Sequence, residues 1–425
     1  MHQRFSSFKY HGLIPLTESY LEKVKALLQA HGKPEKEVYL DLENSAPIAP
    51  DVLEAMLPYF TDLAYGNPTL THKPGWEAYE VLMSARDEMA NLLGAKSYEI
   101  NFTPGESEAN NLALIGYAIA NKKRGKRIVV SEIEHLSIIN AISLLESAGF
   151  EVAKAPVDDQ GFVKLGELQN LINRETVLLS VGVVNHEIGT VQPIKEICKL
   201  AKDLNPQIAV HTDASDAVGK LSISLENLGA DLVTVSSYKL LGPRGIGALC
   251  VREGLEVSRI VEGQLGTQRL WPGVENVPGV VGFARAIEIY VANLETYSSS
   301  LRSMRDLLLE GILNNVDETL LNGPSGTLRG ADNVNISFMG CEGEALTVEL
   351  SLHGVYVSSG SACTRRLLQP SYVLLAIGRG YEEAHGSILM KVNRLQTRED
   401  IEHVLDVVPK AVSRIRRIGG FGGDG

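Results

Sequence analysis

The chain has 425 residues, enough for two or three domains of roughly 150 residues each, so a small disulfide-stapled scaffold is excluded. Its 44% hydrophobic and 22% charged residues, with 40 Gly and 17 Pro, are an ordinary globular balance and argue against long-range disorder. A formal charge of −12 repels phosphate backbones and anionic lipid, which makes nucleic acid and membrane surfaces poor partners.

Apolar runs stop short of the ~18 residues a membrane helix needs, and Met1-His2-Gln3-Arg4-Phe5-Ser6 carries no apolar signal core, so a cytoplasmic location is expected. Cys198, Cys250, Cys341 and Cys363 are spaced unlike any zinc-ligand pairing. No metal site is expected.

In chain order, Ser19 and Glu22 stand at capping-box spacing ahead of Leu21, Val24 and Leu28, and Gly32 with Pro34 stops that helix. From Glu99 onward, short β-branched runs alternate with helical patterns: Ile100-Phe102, Arg127-Val130, Val177-Val184, Ile208-Val210 and Leu232-Val235. This alternation predicts an α/β fold, a mostly parallel sheet covered by helices on both faces, with ligands at the carboxyl ends of the strands. Helical periodicity from Ala286 to Asn314, a strand at Val334-Phe338, and a last helix opened by Thr397 and Asp400 predict a smaller α+β domain. The expected division is an N-terminal segment 1–40 packing with the small domain, a large domain 41–285, a small domain 286–418, and a Gly-rich tail 419–425.

The chemistry gathers at predicted strand ends. Phe102-Thr103-Pro104-Gly105-Glu106-Ser107-Glu108 follows a strand and opens a helix, leaving the N–H groups of Gly105 to Ser107 as an anion cradle. After a later strand comes His211-Thr212-Asp213-Ala214, and after the next comes Ser236-Ser237-Tyr238-Lys239. A lysine in such a cleft either reaches solvent or has its pKa lowered enough to act as an amine nucleophile, and the second option suits an aldehyde cofactor. An aspartate nearby could hold a pyridinium proton and make a pyridoxal ring an electron sink.

These residues, with Gly66-Asn67-Pro68 and His72, the full run Gly105 to Ala113, Glu134-His135, Asn185-His186-Glu187-Ile188-Gly189, Gly242 to Leu249, Glu275 to Gly279 and Ser358-Ser359-Gly360-Ser361-Ala362-Cys363-Thr364, resemble the cysteine desulfurases of the class V aminotransferase group. The resemblance runs from about Leu40 to Val408 and implies the fold type I of enzymes dependent on pyridoxal 5'-phosphate. It further implies that Lys239 carries the cofactor, Asp213 partners the pyridine nitrogen, His135 stacks on the ring and assists proton transfer, and Asn185 lies near the phenolic oxygen. By the same resemblance, Ser107, Ser236 and the N–H of Glu106 bind phosphate, and Cys363 accepts sulfur as a persulfide. A homodimer, an amino-acid substrate and a sulfur-acceptor protein are the implied partners.

The pattern breaks at several positions around cofactor and substrate. Ser387-Ile388-Leu389-Met390 stands where the family has Ser-Ile-Arg-Phe, so Leu389 replaces the arginine that grips the substrate carboxylate, leaving Arg394, Lys391 or Arg269 to substitute. Asp216 replaces a Gln beside the phenolic oxygen, Tyr238 a His whose phosphate bond a tyrosine hydroxyl can still make, and Val274 a Thr that reaches the neighbouring subunit's phosphate. Asp41-Leu42-Glu43-Asn44-Ser45-Ala46-Pro47 also departs from the family's Asp-x-Ala-Ala-Thr-Thr-Pro. The sequence therefore predicts a desulfurase-like enzyme acting on cysteine or a derivative. The alternatives are a C–S lyase or aminotransferase-like enzyme on another amino acid, and a non-catalytic sulfur-relay scaffold.

Overall fold

A computed structural model describes residues 18–360 and 370–420. Cys363 and residues 421–425 of the expected tail lie outside the described residues.

Strand β1 is Val38–Tyr39. The large sheet takes the next seven: β2 (Ile100–Thr103), β3 (Arg127–Ser131), β4 (Glu151–Ala155), β5 (Thr176–Ser180), β6 (Ala209–Asp213), β7 (Leu232–Ser236) and β8 (Gly247–Val251), in the order β2-β8-β7-β6-β5-β3-β4. All neighbours pair parallel except β8, which runs antiparallel to both β2 and β7. Every residue of β5, β6 and β7 is buried, as expected for central strands covered on both faces, and their β-branched and leucine side chains supply the two cores that flank the sheet.

Strands β9 (Thr319–Leu321), β10 (Asn333–Phe338), β12 (Ser358–Ser359) and β13 (Ser387–Lys391) form an antiparallel sheet in the order β12-β13-β10-β9, while β11 (Val355–Tyr356) pairs with β1. Helices Leu294–Asn315 and Arg398–Ile418 close a separate core around Val334, Ile336, Leu308 and Val404. Thr397 caps the second of these, its hydroxyl accepting from the Asp400 N–H.

Three sequence expectations are corrected. Ser19 lies inside the helix Glu18–His31 rather than at its cap. The run Val177-Val184 is strand only to Ser180: Val181 and Val183 still donate to the His211 and Asp213 carbonyls of β6, while the Gly182 N–H between them donates to the Glu134 carboxylate. The periodic stretch Ala286 to Asn314 is two helices, Val277–Ala292 and Leu294–Asn315, bent by 82° at Asn293. Asn276 caps the first of them by accepting from the Gly279 N–H, so residue 285 falls within a helix. Among the described residues, no single helix is long and apolar enough to cross a membrane.

Candidate active site

The carboxyl ends of β2, β3, β5, β6 and β7 converge on one pocket. After β2, Thr103 donates to the Gly105 carbonyl and the chain turns into the helix Glu106–Asn111, whose first N–H groups have no intrahelical acceptor. A Cβ on Gly247 of β8 would come within 2.8 Å of the Gly105 carbonyl carbon, so only glycine lets the cradle lie this close to the sheet. Ser107 is exposed at the cradle's mouth, and the buried Ser236 Oγ has no hydrogen-bond partner. An orphaned hydroxyl beside a helix start is suited to an anion's oxygen.

The pocket is walled by Glu134, His135, Asn185, His186, Asp213 and Asp216. Asp213 accepts from the Asn110 amide at 2.7 Å and from the Ser215 N–H at 2.9 Å. Asn110 also donates to Ser137 Oγ, which lies 2.7 Å from His135 Nδ1. A short polar relay thus ties the imidazole to the carboxylate. His135 meets His186 edge to face with ring centres 5.1 Å apart. Burial first, then the positive charge of Lys239, push the His135 pKa down, so the ring is neutral at pH 7.

Lys239 sits in the turn after β7, held by Leu241 in the left-handed conformation (φ 56°), which is costly for a leucine and fixed by the Ala49 N–H donating to its carbonyl at 2.9 Å. Its amine donates to Asp216 Oδ2 at 2.6 Å and to Glu43 at 3.2 Å, and lies 3.5 Å from Glu106 Oε2. Burial opposes its charge, but Asp216, Glu106 and Glu43 outweigh it and hold the pKa well above the ordinary lysine value, which corrects the lowered value expected from the sequence. Burial also works against Asp216, yet Lys239, Lys391 and Lys220 keep it ionised. For Glu106, burial dominates and raises the pKa well above the carboxylate range.

The sequence-predicted residues among those described are therefore brought together, with one correction, while Cys363 lies outside the described residues. The Tyr238 hydroxyl donates to the Glu43 carbonyl at 2.8 Å; it is spent on that loop and does not face the cradle. Asp216 is the ion-pair partner of Lys239 and Lys391. Asn185 lines the pocket, but its amide donates to the Ile133 carbonyl and its oxygen accepts from Glu187 and Ile188. Sequence reasoning missed Asn110 and His186, each inside a quoted motif, and it did not join Glu43 and Lys391 to Lys239 because they lie 196 and 152 positions away along the chain.

A second cleft adjoins the pocket, lined by Glu43, His186, Ser359, Gly360, Tyr372 and Leu389 among others. Both ends of the segment that carries Cys363 border it. A Cβ on Gly360 would lie 2.8 Å from Glu187 Oε1, and Ser371 Oγ donates to Glu187 Oε2 at 2.7 Å. The Tyr372 hydroxyl donates to the Glu134 carbonyl.

Residues 38–404 match the family described as aminotransferase class-V. The chain belongs to that family. The chain is 42% identical to cysteine desulfurase IscS 1 of Archaeoglobus fulgidus over 379 residues, 89% of this chain and 97% of the relative. It is also 42% identical to cysteine desulfurase IscS of Methanosarcina thermophila over 383 residues, 90% and 94% of the two chains. Among solved structures, a NifS-like protein superposes with a TM-score of 0.82 at 31% identity, covering 91% of this chain and 100% of that one. A structure of SspA in complex with cysteine superposes with a TM-score of 0.73 at 31% identity, covering 83% and 98%. The mostly parallel central sheet places the family's fold type I around this pocket.

Proposed function

We propose that this chain mobilises sulfur from cysteine, with Cys363 as the acceptor and pyridoxal phosphate as the cofactor. The observation that carries the reading is the gathering of Lys239, Asp213 and His135 at one pocket, in a chain 42% identical to cysteine desulfurases over nine tenths of its length. Support also comes from the adjoining cleft, bordered by both flanks of the Cys363 segment.

The residues fit the cofactor. Asp213 offers a carboxylate already oriented by Asn110 and Ser215 for the pyridine nitrogen, Ser236 an unpartnered hydroxyl and the cradle its N–H groups for phosphate, and Lys239 the amine. The bound group supplies an electron sink. Asp213 would hold the ring proton in place, and His135, tied to Asp213 through Ser137 and Asn110, would move a proton at the substrate. In the net reaction the Cβ–S bond of cysteine breaks, an S–S bond forms on Cys363, and the carbon skeleton leaves as alanine with the thiol proton. Incubation with cysteine is expected to give alanine and a persulfide located at Cys363 by mass spectrometry, both lost in Cys363→Ala. Pyruvate and ammonia in place of alanine would assign the chain to C–S lyase chemistry instead.

A homodimer belongs to the same reading. Leu53, Leu57, Phe60, Leu63, Tyr65, Leu70, Trp76 and Tyr79 are all exposed large apolar residues within one stretch of chain, a concentration suited to a protein partner. A second copy is the occupant we propose.

A further inference from the structure

Four of the positions at which this chain departs from its family's pattern, Glu43, Asp216, Tyr238 and Leu389, meet at one place. Lys391 ends β13, and the two-residue period of a strand puts it on the same face as Leu389. Leu389 occupies the place of the carboxylate-gripping arginine and lines the cleft with Glu43 and Gly360. The Lys391 amine donates to Glu43 Oε2 at 2.5 Å and to Asp216 Oδ1 at 2.6 Å. Glu43 also accepts from Lys239 at 3.2 Å. A carboxylate therefore already lies between two lysines, delivered by a side chain of the loop that follows β1. The other two cations considered from the sequence are elsewhere: Arg394 donates to Asp51 at 2.6 Å and lies over the rings of Tyr290 and Tyr297, and Arg269 is exposed.

Charge balance singles out Glu43 as the replaceable anion. Lys220, Lys239 and Lys391 are buried against Asp216, Asp332 and Glu43, with Lys220 held by Asp332 at 2.6 Å. Adding a substrate carboxylate to this volume leaves an unpaired buried charge unless an anion departs. Asp216 is fixed among all three lysines and Asp332 is occupied by Lys220. Exchange of the Glu43 carboxylate for that of the substrate conserves both the charge and the contacts.

We propose that Lys391 is the cation of the substrate-carboxylate subsite in this chain, and that Glu43 occupies the subsite until a substrate carboxylate displaces it. The inference rests on the reading of the site as one that takes cysteine. A lysine gives a point charge where arginine gives a planar fork, so selectivity here comes from competition with Glu43 as much as from the grip itself.

The test uses 3-mercaptopropionate, the cysteine skeleton without its amino group, titrated calorimetrically into the holoenzyme, with the neutral 3-mercaptopropionamide as control. Glu43→Gln empties the subsite of its resident anion, and the carboxylate probe is expected to bind about tenfold tighter or better than to wild type, since the competent fraction rises. Adding Lys391→Met in that background, which removes one charge of each sign and keeps the cluster balanced, should return the probe to the affinity of the amide. Equal affinity in wild type and Glu43→Gln, or tight binding retained in Glu43→Gln/Lys391→Met, would overturn the proposal. The probe cannot turn over, so its binding is read apart from the alanine assay: a chain that makes alanine yet binds the probe indifferently to these variants loses this subsite and keeps its sulfur chemistry.

Discussion

Glu134 and Glu187 are buried acids that stay protonated at neutral pH. Burial lifts Glu134 to about 8, with Asp213 adding to it and the Gly182 N–H opposing. Burial lifts Glu187 to about 8 as well, opposed by Ser371 and reinforced by Glu43. Between the ordinary value of 4.5 and about 8, the folded chain keeps protons that the unfolded chain releases, so each group makes stability fall as pH rises through that window, by up to ~1.4 kcal/mol per pH unit. Asp216 runs the other way: its depressed pKa contributes stability that is present above 3.8 and lost as pH falls below it. Glu134→Gln keeps an oxygen for the Gly182 N–H but removes the titration. Its denaturant midpoint should decline less steeply than wild type from pH 5 to pH 8, and an unchanged slope would show that Glu134 ionises normally. In the lysine cluster, restoring the family's glutamine by Asp216→Gln strips Lys239 and Lys391 of their shared partner and should cost about 3 kcal/mol. Adding Lys391→Met removes the stranded charge, so a double-mutant cycle should show coupling above ~1 kcal/mol, whereas additive losses would mean the amine and the carboxylate do not feel each other.

At the scale of elements, His72 shows how a motif residue can be structural. Its ring Nδ1 accepts from the Gly75 N–H at 3.1 Å and caps the helix Lys73–Leu93, which Gly94 ends in the left-handed conformation. His72→Ala should therefore lower stability by ~1 kcal/mol and leave turnover unchanged, with His72→Asn restoring the loss; a large fall in turnover with intact stability would move His72 into the chemistry. Strands β5 and β7 were legible because a doubly covered strand is a run of β-branched and leucine side chains, whereas β6 was expected at Ile208-Val210 and runs on through the polar His211-Thr212-Asp213. Strand β8, Gly-Ala-Leu-Cys-Val, was not, since its small residues are set by the close approach of Gly105 and not by strand propensity. The edge strand β4 carries Glu151 and Lys154 among alanine and valine and offers no clean alternation. The bend at Asn293 was hidden because two helices packed on different neighbours keep apolar faces of the same period. In the site, Lys239, Asp213 and His135 were legible as motif residues at strand ends, while the contact of Glu43 and Lys391 with Lys239 was not, because it depends on the small sheet meeting the large one.

For the whole molecule, the question is what covers the apolar stretch from Leu53 to Tyr79. Leu57 and Phe60 are each 56% exposed, Tyr65 65% and Trp76 55%, and exposing several such side chains together is costly in water. The stretch is held as a unit, because Gly66 packs so closely that a Cβ there would fall within 2.5 Å of the Pro74 and Gly75 backbone, locking the loop to the start of the helix Lys73–Leu93. Helices Pro50–Met56 and Lys73–Leu93 both pack on Val277–Ala292, three residues beyond Val274, itself 68% exposed. The apolar surface is thus continuous in structure with the segment that the family resemblance places near a neighbouring subunit. A rigid, preformed patch favours association of identical copies through a two-fold contact, in which each side chain meets the same patch on its partner. Sedimentation velocity should give the mass of two chains for wild type, and Phe60→Asp/Trp76→Asp should give one, because two desolvated carboxylates at an isologous contact are encountered twice per dimer. Retention of the dimer in that variant would move the contact to another face of the molecule.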